Sequence, residues 1–371
     1  FIADSIRANP LDLDHAAGLI VEEALRRGSD DNLTLQIVRV DEVSQQTIGE
    51  FQQQAAELPF PPELRPRMEF DGYLIVRRLH ASARSHGFLA QDLDSAQRVV
   101  LKTPSVDLRD DPAYIESFLM EEWIARRLDN AHLLKAQPLS RSRNYLYTVT
   151  EYIEGKTLSQ WMLDNPEPDL ETARQLVEQI ARGLQAMHRQ EMLHQDLRPA
   201  NIMIDGSGTA RIIDFGSVRV AGIAETGGAR AGQQMLGTLI YTAPEYFVGT
   251  LADSRSDLYS LGVITYQLLS GRLPYGTRMA RATSRGGQNR LSYESVLDAR
   301  RSLPAWVDAT VRKAVHPDPN KRYGELSEFL YDLRHPNPRF VRNERPPLME
   351  SNPLLFWKAT SLVLFFAVLA L

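Results

Sequence analysis

Residues 193–216, LHQDLRPANIMIDGSGTARIIDFG, set three polar side chains, Asp196, Asn201 and Asp214, between short apolar runs. Ile202-Met203-Ile204 and Ile212-Ile213 read as two brief buried strands with the carboxylates near their ends. Oxygen ligands placed this way suit divalent metal ions held against phosphate. Any one Asp is an ordinary turn former. A set of separate Asp-containing turns is the other reading of these residues.

The run HQDLRPAN followed by DFG resembles the eukaryotic-type protein kinases, whose catalytic loop reads H-R-D-L-x-x-x-N and whose metal loop reads D-F-G. The resemblance implies ATP and Mg²⁺ or Mn²⁺ as cofactors. Asp196 would accept the proton of the substrate hydroxyl, and Asn201 and Asp214 would hold the metal at the phosphates. It also implies that Glu245 pairs with Arg322 in HPDPNKRY and that Asp257 anchors the catalytic loop, both supporting the fold. Thr238 in GTLIYTAPE matches the Thr of serine/threonine-specific kinases and implies protein Ser/Thr hydroxyls as acceptors. Thr226 is the mid-segment hydroxyl of the Gly/Ala-rich activation segment before it.

These residues need elements to carry them. Tyr73–Val76, Phe88–Ala90 and Val99–Leu101 are strand-like runs bounded by polar turns. Lys102 ends the third, in VVLK, where the family's V-A-I-K lysine contacts the α- and β-phosphates. A helix predicted over 113–128 carries Phe118, Leu119, Trp123, Ile124 and Leu128, and Glu121 stands where the family's helix glutamate pairs with that lysine. Glu122 is the alternative. Adjacent helical residues diverge by about 100°, so only one faces the sheet, and the FLMEEW phase favours Glu121. YTVTEYIEG reads as a strand entering a hinge, with Thr150 behind the adenine pocket and the backbone of Glu151 to Ile153 on adenine by resemblance. Ala173, Leu176, Val177, Ile180, Leu184 and Met187 form an apolar helix face, Leu258–Leu269 a largely buried helix, and 278–290 a surface loop.

Three positions depart from the family. In place of G-x-G-x-x-G-x-V the chain has LHASARSHGF, with His80, Ser82 and Ser85 at the glycine positions and Gly87 at the Val. Small serines permit close approach to phosphates, and Ser82 and Ser85 add hydroxyls as binding groups. Gln195 replaces the Arg that pairs with an activation-loop phosphate, so regulation through that phosphate is not expected. Arg198 replaces the Lys two residues after the catalytic Asp; it keeps the charge at the γ-phosphate as a planar fork.

The chain of 371 residues allows about two domains. Its 42 Lys+Arg against 47 Asp+Glu, net charge −5, provide no basic field for nucleic acid. The absence of cysteine excludes disulfides and thiolate chemistry. Phe1 is not followed by a signal-peptide pattern, and the sequence reads as a fragment. Residues 13–27 place Ala16, Ala17, Ile20, Val21, Ala24 and Leu25 at helical spacing. GSDDN and a strand over Leu33, Leu35 and Ile37 follow. Together these resemble the carboxy-terminal end of type-2C metal-dependent phosphatases, which implies Asp31 as a metal ligand of an incomplete site that should not dephosphorylate by itself. Residues 41–68, rich in Gln and then Pro, read as a linker. Pro and Arg dominate after Leu333, and 354–371 is almost wholly apolar, close to the roughly twenty residues that span a bilayer. A buried core helix or an exposed, aggregation-prone end is the other reading of that tail. Basic residues on its amino-terminal side predict a cytoplasmic kinase.

The expected fold class is α+β: a type-2C phosphatase αββα remnant over 1–40, a linker over 41–68, a two-lobed kinase fold over 69–335, a juxtamembrane linker over 336–353 and one transmembrane helix over 354–371. This order of parts resembles the bacterial kinase/phosphatase fusions. The expected function is a membrane-tethered serine/threonine protein kinase. The other reading, favoured by the degenerate glycine loop and Gln195, is a pseudokinase scaffold or a regulatory domain of the phosphatase.

Overall fold

The structure, a computed structural model, describes residues 1–9, 12–30, 32–37, 58–137, 141–220, 239–250, 252–298, 303–341, 354, 356–358, 360 and 361. The chain divides into two compact units, 1–51 and 52–371. The first holds α1 (Ile2–Ala8) and α2 (Leu13–Arg26). The Asp12 carboxylate accepts from the His15 amide at 2.9 Å, which satisfies a free donor of the first turn. Gly28, at φ +88°, stops the chain just past the helix, because only glycine adopts that backbone without strain. The strand expected over Leu33–Ile37 does not form: residues 32–37 are irregular and Leu33 is exposed. Alternation makes a strand only when a neighbour completes the ladder, and no strand lies among the described residues of this unit. Asp31 lies outside the described residues.

The second unit begins with an antiparallel sheet in the order β1 (Glu69–Phe70), β2 (Tyr73–Ala81), β3 (Ser85–Asp92), β4 (Arg98–Pro104) and β5 (Thr148–Glu151). Between β4 and β5 runs α3 (Pro112–Arg127). Pro112 opens it, where a missing N–H costs nothing, and the Asp111 carboxylate caps it by accepting from the Tyr114 amide at 3.1 Å. One face of the sheet buries Phe70, Tyr73, Ile75, Phe88, Ala90, Val99, Leu101, Tyr147 and Val149. Leu64 joins this core and the Leu146 amide donates to the Pro59 carbonyl at 2.9 Å, so 58–68, read from composition as linker, packs on the small lobe. Two apolar residues among prolines suffice because the sheet supplies the remaining surface.

The larger core is helical. Its elements are β6 (Gly155–Thr157), α4 (Leu158–Asp164), α5 (Leu170–His188), β7 (Met192–Leu193), β8 (Ile202–Asp205), β9 (Ala210–Ile212), β10 (Arg219–Val220), α6 (Pro244–Phe247), α7 (Ser254–Ser270), α8 (Arg285–Gln288), α9 (Ala305–Ala314), α10 (Leu326–Arg334) and α11 (Pro338–Val341). The apolar face of α5 is buried as its spacing predicts, and α7 is buried along most of its length. Gly262 lets α9 approach α7: a Cβ there would stand 3.0 Å from Ala314 Cβ and from Val315 Cγ1. The surface loop expected over 278–290 is instead a 3₁₀ turn (Gly276–Arg281) followed by α8, with Met279 and Gln288 buried. The Gln288 amide donates to the carbonyls of Pro244 and Ala282. Two buried apolar residues, Met279 and Ala282, and one buried amide leave no periodicity to read. Among the described residues no helix is long and apolar enough to cross a membrane; most of 354–371 lies outside them.

Candidate active site

Lys102 reaches from β4 to α3, where its Nζ donates to Glu121 Oε1 at 2.7 Å and Oε2 at 2.6 Å. Burial alone would lower the lysine pKa, but the Glu121 and Asp214 carboxylates raise it above the usual value, so the ammonium persists at neutral pH. Glu122 takes the other direction. Its side chain is buried, and it accepts from Arg143 Nη1 at 2.7 Å and Arg126 Nη2 at 2.6 Å. Arg143 Nη1 also donates to the Tyr147 carbonyl at 2.5 Å. Adjacent carboxylates therefore fix α3 from two sides, one toward the cleft and one toward the strand that leads to the hinge. Arg143→Met leaves Glu122 with Arg126 as its counter-charge but one buried oxygen without its donor, and is expected to destabilise the fold by about 1–3 kcal/mol and to loosen α3, visible as a lowered unfolding midpoint and faster amide exchange in 112–127.

The catalytic-loop sequence is held by one buried carboxylate. Asp257, at the start of α7, accepts from the His194 amide at 2.9 Å, the Gln195 amide at 3.0 Å and His188 Nε2 at 2.8 Å. Burial pushes the Asp257 pKa up, but the His188 hydrogen bond and charge outweigh it, and the pKa lies below the usual range. The clamp holds Gln195 at φ +64°, a left-handed backbone costing a non-glycine residue about 1–2 kcal/mol. That turn delivers Asp196. Asn201 Nδ2 donates to the Asp196 carbonyl at 2.9 Å and to Oδ2 at 3.1 Å, and Arg198 Nε lies 3.5 Å from Oδ2. Burial raises the Asp196 pKa despite the Arg198 charge. If Asp196 must be ionised to accept a proton, activity falls as pH drops through that raised pKa. The acid limb of kcat/KM is expected above the ordinary aspartate value of about 3.9, and a pH–rate profile checks it.

Asp214 follows β9. Its Oδ1 accepts from the Gly216 amide at 3.0 Å, and the Lys102 charge and that hydrogen bond hold its pKa below normal against the effect of burial. The Ile213 amide donates to the Asn201 carbonyl at 2.9 Å, tying the metal-loop sequence to the catalytic loop, and Phe215 packs edge-on against His194 with ring centroids 6.5 Å apart. With Asn201 Nδ2 pinned on Asp196, its amide oxygen is left as an acceptor. Among the described residues no three His, Cys, Asp or Glu side chains form a metal cage. One carboxylate and one amide oxygen fit Mg²⁺ that keeps waters and takes its other ligands from phosphate.

The β2–β3 hairpin differs from the loop its position suggests. The Ser82 amide donates to the Ser85 carbonyl at 3.0 Å, while Ser82 Oγ accepts from the amides of Arg84 at 3.3 Å and Ser85 at 3.1 Å. Ser82 therefore closes the turn, and Ser85 is buried. The Arg84 carbonyl at the tip accepts from the Ser105 amide at 2.9 Å and from the Tyr114 hydroxyl of α3. At the hinge, the Glu151 amide donates to the Lys135 carbonyl at 3.0 Å and its carboxylate pairs with Arg211 at 3.1 Å. That amide is not available to a base, which leaves the amides of Tyr152 and Ile153 as hinge donors. Thr150 lies opposite Val100 in the β4–β5 ladder, and Ile153 is buried. Thr226 and Thr238 lie outside the described residues. Sequence reasoning missed Arg143, Tyr114 and His188. A long-range buried ion pair and a tyrosine in a first helical turn leave no local signature.

This geometry belongs to a known class. The protein kinase domain family model matches residues 83–332, and the chain belongs to that family. It is 29% identical over 265 residues to the serine/threonine-protein kinase PrkC of Bacillus subtilis, an alignment covering 71% of this chain and 40% of that one. To the serine/threonine-protein kinase pkn2 of Myxococcus xanthus it is 32% identical over 209 residues, 55% of this chain and 25% of that one. The chain thus spans less than half the length of these relatives. The crystal structure of the Mycobacterium tuberculosis PknI kinase domain superimposes with a TM-score of 0.55 at 25% identity, covering 73% of this chain and 98% of that one.

Proposed function

We propose that the chain is an active serine/threonine protein kinase that transfers the γ-phosphoryl of ATP to protein hydroxyls. The observation that carries this reading is the assembled charge set: Lys102 joined to Glu121 at 2.6 Å, with Asp214 ionised beside it. Lys102 neutralises and orients the α- and β-phosphates. Asp196 accepts the hydroxyl proton, and Arg198 keeps a cation near the transferred group. Mg²⁺ or Mn²⁺, held by Asn201 and Asp214, would neutralise phosphate charge. Positioning and charge stabilisation account for most of the rate in such transfers. A scaffold without activity has no need of this complete set, although the serine-closed hairpin is the feature that favours it.

Incubation of the whole chain with γ-labelled ATP, magnesium and mixed peptides, followed by phosphoamino-acid analysis, tests the acceptor class. Label on Ser and Thr is the expected result, and label confined to Tyr overturns it. Two further parts of the proposal rest on sequence alone: that 354–371 anchors the kinase to a membrane with its catalytic domain cytoplasmic, and that the first unit is the end of a type-2C phosphatase.

A further inference from the structure

The β2–β3 and β3–β4 ladders set three positions side by side. His80 lies opposite Gly87, and Gly87 lies opposite Lys102 on the next strand. Directly paired residues in antiparallel strands project on the same face, so His80, Gly87 and Lys102 form one row. The face is fixed by its occupants: Lys102 reaches Glu121 from it, while Phe88 and Leu101, the next residues along, point into the small-lobe core. An irregularity in register between Arg78 and His80 inserts one extra residue, which changes the face that the following side chain takes. A Cβ built on Gly87 would meet only the His80 Cβ, at an ordinary contact distance of 3.9 Å, so positions 80 and 87 are neighbours on that face. His80 itself is exposed.

The same hairpin has few amides to offer a ligand. Those of Ser82, Arg84 and Ser85 are all bonded within the turn. Taking the cleft as the ATP site proposed above, we propose that the His80 imidazole contacts the nucleotide triphosphate, donating an N–H where the Ser82, Arg84 and Ser85 amides of the turn are already engaged. Lys102 and His80 then grip the phosphates from one row of the sheet.

The test is calorimetric binding of Mg·ATP and of adenosine to the whole chain, with His80→Ala and His80→Gln beside the unsubstituted protein. Hydrogen bonds to charged groups set the scale: His80→Ala is expected to weaken Mg·ATP about tenfold and leave adenosine unchanged. His80→Gln, which keeps an N–H donor, should recover part of the loss. Unchanged Mg·ATP affinity in His80→Ala overturns the proposal, as does an equal loss for adenosine, which would place the ring on the base. If the unsubstituted chain binds adenosine but gains nothing from the triphosphate, the proposed function fails with it. Because His80 is solvent-exposed, neither variant threatens folding.

Discussion

Asp214→Asn is expected to lower phosphoryl transfer by about a thousandfold, roughly 4 kcal/mol of transition-state stabilisation, while the protein stays folded. Asparagine preserves the shape and can still accept the Gly216 amide hydrogen bond seen at 3.0 Å. What it removes is the charge. Asp214 is one of the two carboxylates that raise the Lys102 pKa and the only carboxylate of the Asn201/Asp214 metal pair. Initial rates with γ-labelled ATP at saturating magnesium read the effect. A variant within tenfold of the unsubstituted protein would show that charge at 214 is not used in the chemistry.

The second large effect is on stability. Glu245 and Arg322 are both buried, joined by Nη1–Oε1 at 2.8 Å and Nη2–Oε2 at 2.7 Å. The Ser256 hydroxyl donates to Glu245 Oε1 at 2.6 Å, and Arg322 also donates to the carbonyls of His316, Arg255 and Pro317. The pair thus ties α6 to the start of α7 and to the segment before α10. Arg322→Met leaves Glu245 buried without a counter-charge, at a cost of about 3–5 kcal/mol and a fall in the unfolding midpoint on the order of 10 °C. Glu245→Leu combined with Arg322→Met should recover part of the loss, since an apolar pair of similar volume is often close to neutral. If the double variant is as unstable as the sum of the singles, the ion pair itself, not the stranded charge, carries the stability.

The residues legible in the sequence are those that stand in a motif. Asp196, Asn201 and Asp214 are close in sequence, and the helical phase around FLMEEW distinguished Glu121 from Glu122 before their partners were known. The Glu245–Arg322 and Asp257 contacts also stand where the motifs imply. Arg143 was not legible, because it stands in no motif and only the packed sheet brings it to Glu122. The hairpin was half legible. The sequence shows serines in place of glycines, but not that Ser82 would turn its hydroxyl inward to close the turn. The strand over 33–37 was misread because alternation predicts a face and says nothing about whether a neighbouring strand exists.

The most direct test of the central claim is label transfer from γ-labelled ATP to mixed Ser/Thr peptides by the unsubstituted chain, with magnesium and with magnesium removed by chelation. The account predicts transfer that requires the metal. No transfer to any acceptor, from protein shown to be folded by a cooperative thermal transition, would contradict it and would make this kinase-family chain a binding scaffold.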